Sequence, residues 1–277
     1  MTDDRPTFVA FDLETTGLWA ETDRIIEIGA IRFDHSGKES GRFERLVNPR
    51  RPVGASSRAI HGLDDSLLAT AEGIESVLPE FLSFLGPADS TLLLAHNAAF
   101  DAGFLGAELG RLGLPMPGHA VADTLVLSRR RRPDAPNHRL DSLARLLGLD
   151  GEGLHRALAD SRRVMDLWLQ LDDGEPPTTY PIADPSQNPA PPIPHGWETM
   201  SNAIREGLPL TIIYSGGTQG DTPRAISPRR FVRRGGLTYV VAFCHISSRD
   251  KEFRLDRVKW HGVMVAPDTI ETGARNG

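Results

Sequence analysis

The chain lacks the features of secreted and membrane-spanning proteins. Its 277 residues include a single cysteine, so no disulfide can form within the chain, and this scarcity suits a reducing compartment. No apolar run approaches the roughly 20 residues that cross a bilayer, and the first residues lack the basic-then-apolar pattern of a secretory signal. We therefore expect a cytoplasmic protein that has no membrane among its partners.

The chain also lacks a strong net charge, since its formal charge at pH 7 is −6. That charge is unevenly distributed: residues 1–171 carry −6, residues 172–196 carry −4 and residues 197–277 carry +4. A basic surplus favours contact with polyanions such as nucleic acids. A surplus of four is modest, however, so charge alone assigns no function to the C-terminal segment.

Proline is concentrated between the two halves of the chain, in residues 172–196. Because proline at this density disfavours helices and sheet interiors and favours an extended spacer, we predict a first domain (1–171), a proline-rich linker (172–196) and a second domain (197–277). In the first domain, strand-like segments alternate with helix-like ones, which predicts an α/β fold with a mixed sheet flanked by helices. The second domain has one short helix followed by four or five strand-like segments, which predicts a small β-barrel.

The most informative segment of the first domain is Phe8-Val-Ala-Phe-Asp-Leu-Glu14, a short apolar strand that ends in two carboxylates. Successive side chains of a strand point to opposite faces, so Asp12 and Glu14 project from the same face. Like charges held together at the end of a buried strand repel each other unless a cation lies between them. Taken alone, the motif also fits an edge strand that ends in solvated acids.

Two further carboxylates lie near the ends of predicted elements. Asp101 follows the predicted strand 91–95 and opens a helix, while Asp160 lies about one turn inside the last helix of the first domain, with His155 at its entrance. Ligands of such sheets gather at the carboxyl ends of the strands. Four acids and one histidine suit Mg²⁺ or Mn²⁺ better than zinc, so we predict a metal site there.

Three ordered motifs resemble those of the DnaQ-like family of 3′–5′ exonucleases. They are Asp12-x-Glu14, His96-x-x-x-Phe100-Asp101 and His155-x-x-x-x-Asp160. The histidine five residues before the last aspartate is similar to the DEDDh branch; another branch carries tyrosine one helical turn before that aspartate, where this chain has Arg156. The segment Ile60-His-Gly-Leu63 also resembles the family. The resemblance covers about residues 6–171 and implies a ribonuclease-H-like fold with a five-stranded mixed sheet.

The resemblance implies hydrolysis assisted by two metal ions. Asp12, Glu14 and Asp160 would hold one Mg²⁺ or Mn²⁺ ion, Asp12 would bridge to the second, and Asp101 would contribute directly or through water. Two ions about 4 Å apart stabilise the attacking and leaving oxygens of an in-line displacement at phosphorus. His155, a residue type with an unperturbed pKa of about 6.5, would take a proton from the attacking water.

The resemblance also implies where the terminal nucleotide binds. Thr15 and Thr16 would face the 3′-OH, and Leu18 would lie against the base, although plain packing of Leu18 is an alternative. His61 would either reach the substrate or cap a turn. The remaining candidate substrate-binding residues are His96, Asn97 and Phe100. His96 and Asn97 would either orient Asp101 or touch phosphate, and Phe100 fits the core better than base stacking. For the arginine run at residues 129–132, phosphate contact and solvated surface both remain open.

The second domain resembles a WYL domain over about residues 197–262. The segments that carry the resemblance are Leu237–His245 and Phe253–Arg257, although the name-giving tripeptide is degenerate here, Thr238-Tyr-Val240. The resemblance implies an Sm-like β-barrel that binds a nucleic acid or a nucleotide. A basic, aromatic-bearing pocket is predicted from Tyr239, His245, Arg254 and Arg257; barrel core with surface ion pairs is the alternative.

These expectations combine into a metal-dependent 3′–5′ exonuclease that acts on nucleic acid with a free 3′ end, DNA favoured, and releases nucleoside 5′-monophosphates. The fused β module suggests that such an enzyme would act in DNA repair, nucleic-acid turnover or defence. An RNA exonuclease is the alternative within the same class. A non-catalytic regulator that binds nucleic acid or senses a ligand is the alternative of a different class.

Overall fold

A six-stranded mixed sheet forms the centre of the first of two units, residues 1–188. The computed structural model describes residues 7–149, 156–185, 195–215, 221–234 and 237–262. The strands of the first unit are β1 (Thr7–Thr15), β2 (Ile25–Phe33), β3 (Glu39–Leu46), β4 (Thr91–Ala95), β5 (Ala120–Asp123) and β6 (Thr179–Pro181). They lie in the order β3-β2-β1-β4-β5-β6, with β4 parallel to β1 and to β5 and the other neighbours antiparallel. The predicted mixed α/β fold is confirmed, but the sheet has six strands instead of the expected five, because residues 179–181 add an edge strand to it.

Helices cover both faces of this sheet. They are α1 (Ala55–His61), α2 (Asp65–Ala69), α3 (Ile74–Leu85), α4 (Ala98–Leu112), α5 (Thr124–Arg131), α6 (Leu140–Leu147) and α7 (Ala157–Leu171). Alternate residues of β1 enter two separate cores: Val9 and Phe11 pack on the side of α3 and α4, and Phe8 and Ala10 pack on the side of α7. Because β1 is buried on both faces, side chains at its carboxyl end emerge from the interior of the unit.

The proline-rich segment begins as part of the first unit, which differs from the predicted linker. Thr179–Pro181 pairs with β5, and Ile182 lies in the core at 4% exposure. Ala183 packs so closely on α4 that a Cβ at Gly106 would lie 2.1 Å from its carbonyl oxygen. Proline is tolerated on an edge strand, because its missing N–H can face away from the neighbouring strand and no hydrogen bond of the sheet is lost. Residues 186–194 of the predicted linker lie outside the described residues.

The described residues of the second unit (189–277) form one α-helix, a short 3-10 turn and a five-stranded antiparallel sheet. The elements are α8 (Glu198–Glu206), β7 (Leu210–Tyr214), β8 (Pro223–Arg234), β9 (Leu237–Cys244), β10 (Arg249–Arg254) and β11 (Val258–Gly262), and the strand order is β10-β9-β8-β7-β11. Met200 and Ala203 of α8 pack against apolar residues of the sheet. The antiparallel sheet domain is confirmed, and its closure into a barrel stays a prediction. Across both units, the described helices are too short or too polar to cross a membrane.

Candidate metal centre

The carboxyl end of β1 places two acids against the first turn of α7. Asp12 lies opposite Gly29 in the β1–β2 register, and Glu14 lies opposite Glu27. A Cβ at Gly29 would lie 2.1 Å from the carbonyl carbon of Ala157, so only glycine lets the start of α7 approach β2 this closely. This close approach places α7 directly above Asp12.

An ion pair between Arg156 and a buried carboxylate fixes the position of α7. Glu27 is fully buried, and it accepts hydrogen bonds from Arg156 (Nη2, 2.7 Å; Nε, 3.0 Å) and from the main-chain N–H of Ala157 (3.1 Å). An acid at a helix N-terminus satisfies an N–H that the helix leaves unpaired. One turn later, the Ser161 hydroxyl lies 2.8 Å from the carbonyl of Gly29. These contacts hold the first turn of α7, and with it Asp160, over β1 and β2.

Glu27 is not among the predicted site residues, although its neighbours in the sequence indicate a buried acid. Its neighbours Ile25, Ile26 and Ile28 are all apolar, and such a continuous apolar run is typical of a strand buried on both faces. A carboxylate within such a run is buried, and buried carboxylates almost always have a partner. The signal indicates a buried acid but does not identify Arg156 as its partner.

Three carboxylates converge at the end of β1. Oxygen atoms of Asp12, Glu14 and Asp160 lie within 4.8 Å of one another. Asp160 also accepts a hydrogen bond from Nη1 of the buried Arg163 at 2.5 Å, which limits its freedom. Asp101, in the first turn of α4, is 3% exposed, and its charge acts on Asp12. All four predicted acids therefore lie at or beside one place in the fold.

The site concentrates negative charge. Burial raises the pKa of Asp12 well above its usual value, and the charges of Asp101 and Asp160 raise it further. Burial, followed by the charges of Asp160 and Glu27, raises the pKa of Glu14 to about 8, although Arg156 opposes the shift. Burial also raises the pKa of Asp101. A divalent cation would reverse these shifts, since it favours the ionised carboxylates.

The donor set fits a hard divalent cation. Every converging group is a carboxylate oxygen, which Mg²⁺, Mn²⁺ and Ca²⁺ prefer, whereas zinc favours sulfur and imidazole. His155, the histidine predicted to act beside these acids, lies outside the described residues. The next residue, Arg156, is held by Glu27 as described above.

The loop after β1 contains the residues predicted to contact the terminal nucleotide. The Thr15 hydroxyl bonds to the carbonyl of Gly17 (2.6 Å), and Thr16 Oγ1 lies 3.3 Å from Asp23 Oδ1 and accepts the N–H of Arg24 (3.0 Å). Both threonine side chains therefore shape the loop. Leu18 is 55% exposed, so plain packing does not describe its environment.

Two predicted histidines have internal partners. His61 is 6% exposed, its Nδ1 accepts the N–H of Leu63 at 3.0 Å, and burial lowers its pKa. Nδ1 of His96 contacts the Thr124 hydroxyl (3.0 Å), and its Nε2 contacts the carbonyl of His138 (2.9 Å). The cap of a turn at His61 is thus present, and both ring nitrogens of His96 are engaged within the protein.

Two further candidates lie beside His96, at the start of α4. Asn97 is exposed at a left-handed backbone position (φ 69°), and its N–H donates to Asp123 Oδ1 at 3.1 Å. Phe100 lies against the core, with its ring centroid 4.8 Å from that of Phe104. The position of Phe100 agrees with the core interpretation, and Asn97 remains available to a ligand.

Three of the four arginines at residues 129–132 form ion pairs. Arg130 and Arg131 form ion pairs with Asp173 (3.1 and 2.8 Å), and Arg132 pairs with Asp134 (3.1 Å). These pairs agree with the interpretation of the run as solvated surface.

In the second unit, the predicted pocket residues do not all come together. Arg254 lies opposite Tyr239 in the β9–β10 register and pairs with Asp256 at 2.7 Å. His245 is six residues beyond Tyr239, about 20 Å along the chain direction, and its Nε2 contacts the Ser227 hydroxyl at 2.9 Å. Arg257 has an exposed side chain on the turn before β11. The structure thus brings Tyr239 and Arg254 together and separates His245 from them.

Comparison with known proteins assigns the two units to two families of domain. The model of the exonuclease family (RNase_T) matches residues 9–168, and the WYL domain model matches residues 196–260. A DNA polymerase III PolC-type of Caldanaerobacter subterraneus subsp. tengcongensis is 39% identical over 164 residues. The match covers 59% of this chain and 11% of the relative, so the chain corresponds to a small part of that protein.

Solved structures resemble the fold at low sequence identity. The nuclease domain of 3′hExo, a DEDDh family member bound to rAMP, superimposes with a TM-score of 0.54 at 17% identity, over 65% of this chain and 98% of the other. E. coli Exonuclease I in complex with a dT13 oligonucleotide superimposes with a TM-score of 0.54 at 18% identity, over 86% of this chain and 55% of the other. At such identities the likeness shows the fold alone.

Proposed function

Because the chain belongs to the exonuclease family whose model spans residues 9–168, we propose that it is a metal-dependent 3′–5′ exonuclease that releases nucleoside 5′-monophosphates. The resemblance of the motifs to DnaQ-like exonucleases and to WYL domains is confirmed. The observation that carries the proposal is the convergence of Asp12, Glu14 and Asp160 within 4.8 Å at the end of a buried strand.

The carboxylates would hold two divalent ions, Mg²⁺ or Mn²⁺. Asp12, Glu14 and Asp160 would bind one ion, and Asp12 and Asp101 would bind the second. When bound, such ions activate water and stabilise the leaving oxygen of a phosphodiester. The Glu27–Arg156 pair keeps the start of α7 in place. His155, which directly precedes Arg156 in the chain, would accept the proton of the attacking water. The loop of Thr15, Thr16 and Leu18 would receive the terminal nucleotide.

DNA is the substrate that we favour. The support is the 39% identity to a DNA polymerase III PolC-type, although the chain matches 11% of that protein. Of the structural neighbours, one is bound to rAMP and another to a dT13 oligonucleotide, so the shared fold accommodates either sugar. An RNA 3′–5′ exonuclease is therefore the alternative.

The WYL domain would bind nucleic acid or a nucleotide and thereby guide or regulate the nuclease. The fused module favours a role in DNA repair, nucleic-acid turnover or defence. Since the chain has one cysteine, the cytoplasm is the compartment that we propose.

The test is digestion of single-stranded DNA, duplex DNA and RNA, each labelled at its 5′ end, with Mg²⁺, with Mn²⁺ and with EDTA. We expect a descending ladder that depends on the metal, strongest on DNA, with 5′-monophosphates as products. A ladder confined to RNA would support the alternative substrate. Binding of all three nucleic acids without cleavage in either metal would replace the enzyme with the non-catalytic regulator.

A further inference from the structure

A basic groove lies on the first unit, outside the metal centre. It has a volume of about 520 Å³, and its walls are the start of β2, the segment after β3, the start of α3 and the end of α4. Four arginines line it: Arg24, Arg50, Arg51 and Arg111. They are distributed along 88 residues of the chain, so no local sequence motif reveals the cluster.

Two of the four guanidinium groups are compensated by carboxylates. Arg50 pairs with Glu75, and Nη1 of Arg111 lies 3.0 Å from Oε1 of Glu108, which is 1% exposed. A buried carboxylate that binds an arginine holds the guanidinium in a fixed orientation. Glu108 therefore fixes Arg111 in the wall of the groove.

The other two arginines bond to main-chain carbonyls instead. Nη1 of Arg24 donates to the carbonyls of Thr22 (3.2 Å) and Asp23 (2.9 Å), and Nη1 of Arg51 donates to that of Thr22. Within the described part of the chain, neither forms an ion pair with a carboxylate. Burial lowers the pKa of Arg24, and the charges of Arg111 and Arg51 lower it further, although Glu108 opposes them. An anion in the groove would reverse this shift.

The groove begins beside the loop that follows the metal centre. The main-chain N–H of Thr16 donates to the carbonyl of Arg24 at 2.9 Å, and Arg24 N–H donates to the Thr16 hydroxyl at 3.0 Å. At the other side, Arg111 lies ten residues after Asp101 on α4, which is about 15 Å along the helix. At roughly 3.4 Å per nucleotide, that length matches about four nucleotides.

The groove also continues beyond Arg51. A second depression of about 350 Å³ shares residues 48–51 with the first and extends to the start of α2. An extended concave surface suits a polymer better than a single small anion. Arginine forks bind phosphate in a bidentate manner and independently of base sequence.

We propose that this arginine groove binds the phosphodiester backbone of the nucleic-acid substrate, several nucleotides away from the bond that is cut. The proposal rests on the proposed exonuclease function and adds to it the surface that holds the body of the substrate. The backbone can belong to the strand whose 3′ end enters the metal centre or to a complementary strand, and both have the same chemistry.

The test is equilibrium binding of the full chain in EDTA, where no hydrolysis occurs, over a series of salt concentrations. The variant R24Q/R51Q removes the two arginines that lack carboxylate partners. The control R42Q/R145Q removes the same charge from exposed arginines paired with Glu39 and Asp141. For single-stranded DNA we expect affinity to fall about tenfold in R24Q/R51Q, and the slope of log K against log salt to flatten by about 1.4, or 0.7 per lost contact. The control should match wild type.

Single-stranded and duplex DNA distinguish the two sources of phosphate. A loss on both would assign the groove to the strand that enters the metal centre, and a loss on duplex alone would assign it to the complementary strand. The proposal would be overturned if R24Q/R51Q bound both single-stranded and duplex DNA with the affinity and the salt slope of wild type. Because Arg24 also bonds within its loop, R51Q, at an exposed residue, serves as a second variant, expected to show about half the change in slope. Failure of the exonuclease proposal would appear separately: the unsubstituted protein would bind DNA but would produce no ladder of shortened products when metal is added.

Discussion

Two kinds of carboxylate lie near the carboxyl end of β1, and they are stabilised differently. Glu27 is fully buried and is satisfied by Arg156 and by the N–H of Ala157. At the metal centre, burial and the charges of the neighbouring acids all raise the pKa of Asp12. Burial of an acid therefore does not by itself indicate function. An acid whose neighbours are mainly other acids indicates a cation site, whereas Glu27, which is satisfied by Arg156 and by a helix N–H, has a structural role.

The largest expected difference between the two kinds is in activity. Asp12→Asn or Asp160→Asn should lower the rate of ladder formation at least about 10³-fold, since bound metal supplies several kcal/mol of transition-state stabilisation. In EDTA, Asp12→Asn should unfold at the same temperature as wild type or higher, because it removes repulsion among the acids. The measurements are initial rates and thermal unfolding. Undiminished turnover, or an apo protein clearly less stable than wild type, would contradict the assignment of Asp12.

Glu27→Gln should show the reverse pattern, with stability as the main loss. Removing hydrogen bonds to a charged, buried group costs about 1.5–3 kcal/mol in the free energy of unfolding. Activity should fall less than in Asp12→Asn and should recover partly at high Mg²⁺, because α7 still carries Asp160. Arg156→Gln is the matched control. If the two residues act only as a pair, the double variant E27Q/R156Q should be no less stable than the worse single variant; additive losses would show separate roles.

The pH dependence of stability sharpens the comparison. The pKa of Glu14 is raised from its usual value near 4.5 to about 8 in the folded protein. Between these values the folded state binds more protons than the unfolded state, so stability should fall as the pH rises from about 4.5 to 8. Saturating Mg²⁺ should remove most of this decline, since the ion replaces the protons. The measurement is the unfolding temperature at pH 6 and pH 8, with Mg²⁺ and with EDTA. Equal declines in both would show that the acids do not bind the ion.

Much of the site was predictable because its residues lie in short motifs at the ends of predicted elements. Asp12, Glu14, Asp101 and Asp160 needed only strand periodicity, helix positions and family resemblance. The strand β5 (Ala120–Asp123) was missed because it has four residues, two of them alanine, and little intrinsic preference for a strand. The strand β6 was missed because Pro181 argues against a strand and only the edge of the sheet accommodates it.

The partners of charged groups were not predictable, because they depend on contacts between distant residues. Glu27 and Arg156 are 129 residues apart, and the arginine groove combines four separate segments. The run at residues 129–132 illustrates the opposite case. It is conspicuous in the sequence, yet two of its arginines form ion pairs with Asp173, about 40 residues later.

The smallest expected effect concerns that run and extends the comparison from acids to arginines. Arg130 and Arg131 are paired with one carboxylate at the surface, and such exposed pairs contribute about 0–1 kcal/mol. Because both guanidinium groups are already bonded to Asp173, R130Q/R131Q should change DNA affinity less than about twofold and leave the salt slope as in wild type, in contrast to R24Q/R51Q. The same salt titration measures both variants. A flatter slope in R130Q/R131Q would show that these arginines leave Asp173 and bind phosphate when DNA is present. In that case, ion pairs in the free protein would not decide which arginines bind DNA.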